Sequence, residues 1–149
     1  MKVTESQVTK MVIIGAERLD PVTAIFEDTG DASGKFIIEC YGESWSHYWG
    51  NMGPSKSVRD FFLSCSCEYL ANKCVSHTRE IDFDAISAQI ERQVDSWDEL
   101  RDQEELMIDH YGDDWNLVLP VRDTQEYTYF SRIAQAVKDA IVHLKEQSK

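Results

Sequence analysis

Between Lys35 and Gly53 the chain reads KFIIECYGESWSHYWGNMG. From Lys35 to Tyr41 the pattern is that of a strand, with Phe36, Ile38 and Cys40 on one face and Ile37, Glu39 and Tyr41 on the other. Gly42 interrupts it, as a glycine does at a bulge or a close backbone approach. The aromatics return as Trp45, His47 and Trp49, with Tyr48 between the last two, before Gly50, Gly53 and Pro54 stop any regular element. Rigid aromatics between glycines predict a tight aromatic corner at a sheet edge. Two uses are open for it. Trp45 and Trp49 are either core residues under the following helices or, with His47 and Tyr48, an aromatic recognition surface, since Trp and Tyr carry much of the energy at protein interfaces.

Upstream, Gln7 to Ala16 reads as a first strand. Val12 and Ile14 share one face and Met11 and Ile13 the other, so both faces are expected to be partly covered. Val22 to Asp28 reads as a second strand, with Val22, Ala24 and Phe26 on one face. The turn formers of TGDASG, Thr29 to Gly34, separate it from the third and signal a hairpin. That segment lacks the GxxxxGK[ST] pattern of a phosphate loop. Strand patterns precede Gly53 and helix patterns follow it. The expected fold is therefore α+β: an N-terminal antiparallel three-stranded meander, then three to four helices packed on it, in a single domain over residues 1–149.

Ser55 or Ser57 can cap a helix reaching Lys73, with Val58, Phe62, Cys65 and Tyr69 on one face. Asp82 can cap a second, whose apolar face is Phe83, Ile86, Ile90, Val94 and Trp97. A further helix is expected over Asp98 to His110, with Leu100, Met107 and Tyr111 as apolar contacts and Gly112 ending it. The alternation Trp115, Leu117, Leu119 suggests a short strand, confined to an edge by Pro120. The last helix runs from about Thr124 toward Lys145, with the stripe Tyr127, Phe130, Ala134, Val137, Ile141 and Leu144. That stripe also offers a homodimer seam.

The 149 residues are 42% hydrophobic and 28% charged, a globular composition. No apolar run approaches the ~20 residues of a membrane span, and no secretory signal pattern opens the chain, so a cytoplasmic protein without membrane partners is expected. Cys40, Cys65, Cys67 and Cys74 are then expected to remain thiols. The formal charge is −12, and residues 79–114 hold thirteen Asp or Glu against three Arg, a net −10. Such a surface repels phosphate backbones, so no direct nucleic acid binding is expected; it attracts basic partners.

No constellation rises to catalysis or cofactor binding. Zinc could take Cys65, Cys67, Cys74 and His77, but residues two apart on a helix point about 200° away from each other, so Cys65 and Cys67 cannot share a metal unless the helix breaks. Cys40 or Cys65 with His47 or His77 carries no hydrolase signature. Asp113–Asp114 and Glu104–Glu105 lack the spacing of a calcium loop. No catalytic residue, cofactor or metal is expected.

The run Cys40, Tyr41, Gly42, Trp45, Tyr48, Trp49, Gly50, Met52 and Gly53, in the pattern C-Y-G-x-x-W-x-x-Y-W-G-x-M-G, resembles a family of small uncharacterised proteins of tailed phages and enterobacterial prophages. The similarity extends through RLDPVTAIFED and DFFLSCSCEYLANK, from Arg18 to Lys73. The resemblance implies a phage accessory product acting in the bacterial cytoplasm and brings no catalytic residues. The expected function is non-enzymatic: binding and modulating a host protein with a basic surface, such as a defence or nucleic-acid-processing factor. The candidate residues are Asp95, Asp98, Glu99, Asp102, Glu105 and Asp109, with Trp45, His47, Tyr48 and Trp49. Three alternatives stand beside it: a DNA mimic that inhibits a DNA-binding protein, a small-ligand binder or enzyme using the aromatic corner, and a structural component of the phage.

Overall fold

Tyr41 and Gly42 both take positive φ, 52° and 81°, and turn the chain between Cys40 and Glu43, which face each other across two paired strands. A two-residue loop with both φ values positive matches the twist of its flanking strands. The break at Gly42 is thus a hairpin turn, and the aromatics beyond it form a fourth strand instead of a corner. The computed structural model describes residues 1–54 and 56–148. Its strands β1 (Thr9–Ile13), β2 (Val22–Gly30), β3 (Ser33–Cys40) and β4 (Glu43–Trp49) form one antiparallel sheet in chain order. The α+β class stands; the meander has four strands, where the sequence predicts three.

The chain divides into two compact units, Met1–Ser76 with Glu126–Lys149, and His77–Gln125. The first is built on the sheet. Its register aligns Met11, Ala24, Ile38 and Trp45 in one row, and Phe26, Phe36 and His47 in another. Helices α1 (Val58–Ser64), α2 (Cys67–Cys74) and α6 (Gln125–Gln147) cover that face. The Phe62 ring meets Phe26 and Phe36 edge-on at 5.5 and 5.0 Å, a favoured aromatic geometry. Only one face of β1 is covered: Met11 is buried and Ile13 half-buried, whereas Val12 and Ile14 are exposed.

The single helix expected up to Lys73 is two. Ser57 caps α1 by accepting from Asp60 N–H, while Ser55 lies outside the described residues. Cys65 is extended, and Ser66 caps α2 by accepting from Tyr69 N–H. Serines on both sides of Cys65 favour the break: Ser64 Oγ donates to the Phe61 carbonyl at 2.7 Å, and serine prefers a cap to a helix interior. On α6 the residues Phe130, Ile133, Ala134, Val137 and Ile141 are buried in the sheet core, so the seam read for a dimer is occupied by the chain's own sheet.

The second unit has its own core: Ile86, Ile90, Val94, Leu100, Met107, Trp115 and Leu119. Its chain ends are drawn together by the ribbon β5 (Arg79–Ile81) and β6 (Val121–Asp123), which pairs Arg79 with Asp123. Asp82 does cap α3 (Phe83–Ile90), accepting from Ala85 N–H. That helix ends early, at Glu91 with φ 54°; Ser87 Oγ then holds both the N–H and the carbonyl of Val94, so Val94 reaches the core from a loop. The next segment is also two helices, α4 (Trp97–Asp102) and α5 (Glu104–Tyr111), with Gly112 at φ 91° ending the second. Trp115–Leu117 is a 3-10 turn and not a strand, and Leu117 is exposed. Three helices therefore pack on the sheet and three belong to the second unit, among the described residues.

Candidate interaction surface

The pleat of β4 divides the aromatic candidates. Trp45 and Trp49 point into the core of the first unit and are buried. Trp45 packs on Tyr129 and Phe130 at 5.9 and 5.4 Å, and Trp49 on Phe36 and Phe61 at 5.1 and 4.9 Å. The Trp49 indole N–H donates to the Tyr69 hydroxyl at 3.2 Å, so its one polar atom is satisfied. His47 is half-buried against Trp49, and that burial, with Lys73 nearby, lowers its pKa. Tyr48 alone faces solvent. The exposed aromatic surface and the ligand pocket imagined around Trp45 and Trp49 are corrected accordingly: alternation along a strand sends both indoles inward.

The cysteines are all free thiols. Because α1 and α2 are separate, the helical argument that kept Cys65 and Cys67 apart does not apply. Cys65 is buried, its carbonyl accepting from Lys138 Nζ at 2.6 Å, and Cys67 Sγ lies 3.5 Å from Gln135 Oε1. Burial raises both thiol pKa values and pushes Cys74 up to about 12, the opposite of what a reactive thiolate needs. Among the described residues no three His, Cys, Asp or Glu side chains converge as a metal site.

The acidic candidates Asp95, Asp98, Glu99, Asp102, Glu105 and Asp109 all lie exposed on the second unit. Ion pairing sorts them. Arg122 holds Glu80 at 2.9 Å, Asp84 at 2.7 Å and Asp82 at 3.8 Å, and Arg79 lies 3.8 Å from Asp123. Asp98 pairs with Arg101 at 2.6 Å. Glu99 is structural: its carboxylate accepts from Asp95 N–H at 2.7 Å while its own N–H donates to Ser96 Oγ, starting α4. The Glu99 charge raises the Asp95 carboxyl pKa. Among the described residues Asp102, Glu104, Glu105, Asp109, Asp113 and Asp114 have no ion-pair partner. Glu91, Asp95 and Glu99 have none either among the described residues, so unpaired carboxylates run from Glu91 through α4 and α5 to the turn after it, six of them from Asp102 onward.

Beside these carboxylates stands Trp97, 43% exposed, its ring 6.4 Å from that of buried Trp115. Sequence reading placed Trp97 on a continuous core-facing helix. The signal that could have moved it is Ser96-x-x-Glu99, a helix-start pattern that makes Trp97 the first residue of a new helix.

A model described as a phage family matches residues 1–143. The chain belongs to that phage family. The match runs through both units, so the phage family includes the acidic unit, which the resemblance of Arg18 to Lys73 did not reach. No curated protein and no solved structure matches the chain. Among the described residues no helix of this phage family member is long and apolar enough to cross a membrane.

Proposed function

We propose that this phage-family protein is a non-enzymatic accessory product that binds and modulates a protein of the bacterial host, in the host cytoplasm, by docking the acidic unit on a basic surface. The observation that carries the reading is the sorting of charge. Arg79, Arg101 and Arg122 neutralise neighbours within the unit, whereas six carboxylates from Asp102 to Asp114 are exposed and have no ion-pair partner among the described residues. Arg92 and Arg101 stand among these carboxylates and line one pocket with Asp102, Glu104, Glu105 and Asp109, but two cations against six carboxylates leave an excess of like charge that opposes compactness, and a basic partner relieves that repulsion. Complementary charge of this kind speeds encounter and rejects wrong partners.

The test is affinity capture from host lysate at low salt by the full chain and by a variant carrying Asp102→Asn, Glu105→Gln, Asp109→Asn and Asp113→Asn. The reading expects a basic host protein held by the natural chain, lost at high salt and lost from the variant. Equal recovery by both chains, or no specific partner at low salt, contradicts it.

A further inference from the structure

Trp97, Arg101, Glu104, Asp113, Trp115 and Asn116 line an open cleft of about 590 Å³ on the second unit. Its aromatic part is the tilted Trp97–Trp115 pair, its acidic part Glu104 and Asp113. Both carboxylates are exposed and without an ion-pair partner among the described residues. The cation in the lining is already engaged: the Arg101 guanidinium donates to Asp98 at 2.6 Å and to the Trp97 carbonyl at 3.4 Å. The cation–aromatic pairs among the described residues are Lys56 with Phe61 and Lys73 with Tyr69, neither of them here. A half-exposed indole next to two exposed carboxylates offers apolar area and charged acceptors side by side.

We propose that this cleft receives an arginine side chain of the partner protein, its guanidinium stacked on Trp97 and hydrogen-bonded to Glu104 and Asp113. The guanidinium is the group that satisfies both halves. Its planar face stacks on an indole, the ring with the strongest attraction for cations. Its five N–H donors fork onto carboxylates, the arrangement that gives the stronger charge-assisted bonds. An ammonium has no plane to stack and a smaller fork to offer, and an apolar side chain would bury the carboxylates without donors. Leu117 and Val118, following Trp115 in the chain, are 77% and 56% exposed and offer apolar surface to the same partner. A tryptophan and an arginine seated together make the kind of anchor that dominates interface energies.

The inference rests on the acidic unit being the docking surface and is tested separately from it. Full-length protein labelled at its indole N–H groups is titrated with N-acetyl-arginine methylamide, and in parallel with the lysine and norleucine amides. The arginine amide is expected to shift the Trp97 and Trp115 signals saturably, leaving Trp45 and Trp49 unmoved. Its affinity should fall about tenfold in Trp97→Leu and by a similar factor in the exposed-surface variant Glu104→Gln with Asp113→Asn. An equal response to the lysine or norleucine amide overturns the assignment, as does a shift that never saturates or one that survives both variants. If a basic host protein is captured while the arginine amide leaves Trp97 unmoved, the cleft is wrong and the docking surface stands. If the amide binds as described and no host protein is captured, the cleft stands and the host-binding reading fails.

Discussion

The carboxylate of Asp28 accepts a hydrogen bond from the backbone N–H of Val58 at 2.6 Å. It ties the irregular end of β2, where the register slips between Asp28 and Gly30, to the first residue of α1. That N–H is one of the donors a helix start leaves unsatisfied, and the negative charge suits the positive end of the helix dipole. Asp28→Ala is expected to cost about 1–2 kcal/mol, the range for a charged hydrogen bond at a helix start, read from urea unfolding. Gly34 lies beneath the same helix: a Cβ there would sit 2.7 Å from the Glu27 carbonyl and 2.9 Å from Val58 Cβ. Gly34→Ala should cost about 1–3 kcal/mol by overpacking.

Trp45 and Trp49 are core residues, so their truncation tests the fold. Trp45→Ala and Trp49→Ala should each lose about 3–5 kcal/mol, and Tyr69→Phe about 1 kcal/mol through the acceptor removed from the Trp49 indole. Full stability in Trp49→Ala, by thermal or urea melting, would return that residue to the surface.

What was legible in the sequence followed the strength of local patterns. The alternation at Phe36, Ile38 and Cys40, the Asp82 cap and the Gly112 stop all appear where the residues placed them. The hairpin at Tyr41–Gly42 was hidden because tyrosine is a poor candidate for positive φ, and the strand hydrogen bonds of β3 and β4 overrode that preference. The apolar set Ile86, Ile90 and Val94 was correctly assigned to a core, but periodicity cannot see a left-handed residue such as Glu91 ending the helix between them. The division into two units depends on the pairing of Arg79 with Asp123, forty-four positions apart, which no local window contains. The acidic candidates were visible by composition. Which of them are neutralised was not, since Arg122 reaches Glu80 and Asp84 only once β5 and β6 pair.

Stability is expected to fall in alkali. Burial holds the Cys74 thiol at about 12, against 9.0 for a free thiol. The hydrogen bond to Cys40 and burial hold Tyr129 at about 12, against 10.0. A folded pKa above the unfolded one favours the fold below the unfolded value, and that advantage is lost as the unfolded chain releases its proton first. Urea midpoints should therefore hold to about pH 9 and decline toward about pH 12, with a smaller decline in Cys74→Ala. A midpoint flat across that range would contradict the burial of these groups.

Two neighbouring carboxylates should behave differently when neutralised. Glu99→Gln weakens the bond to Asp95 N–H that starts α4 and should cost about 0.5–1 kcal/mol. Asp102 has no ion-pair partner among the described residues, and Asp102→Asn should stay within about 0.5 kcal/mol of the natural chain. Melting of the two single variants side by side checks the contrast.

The most direct measurement is the association rate of the captured host protein with the full chain as salt is raised, for the natural sequence and for the Asp102, Glu105, Asp109 and Asp113 variant. Exposed charges lose reach beyond about 8 Å at physiological ionic strength. The natural chain should therefore associate fast at low salt and slow steeply as salt rises, while the variant associates slowly and with little salt dependence. Equal rates for both chains, flat in salt, would show that the acidic unit is only a solvated face.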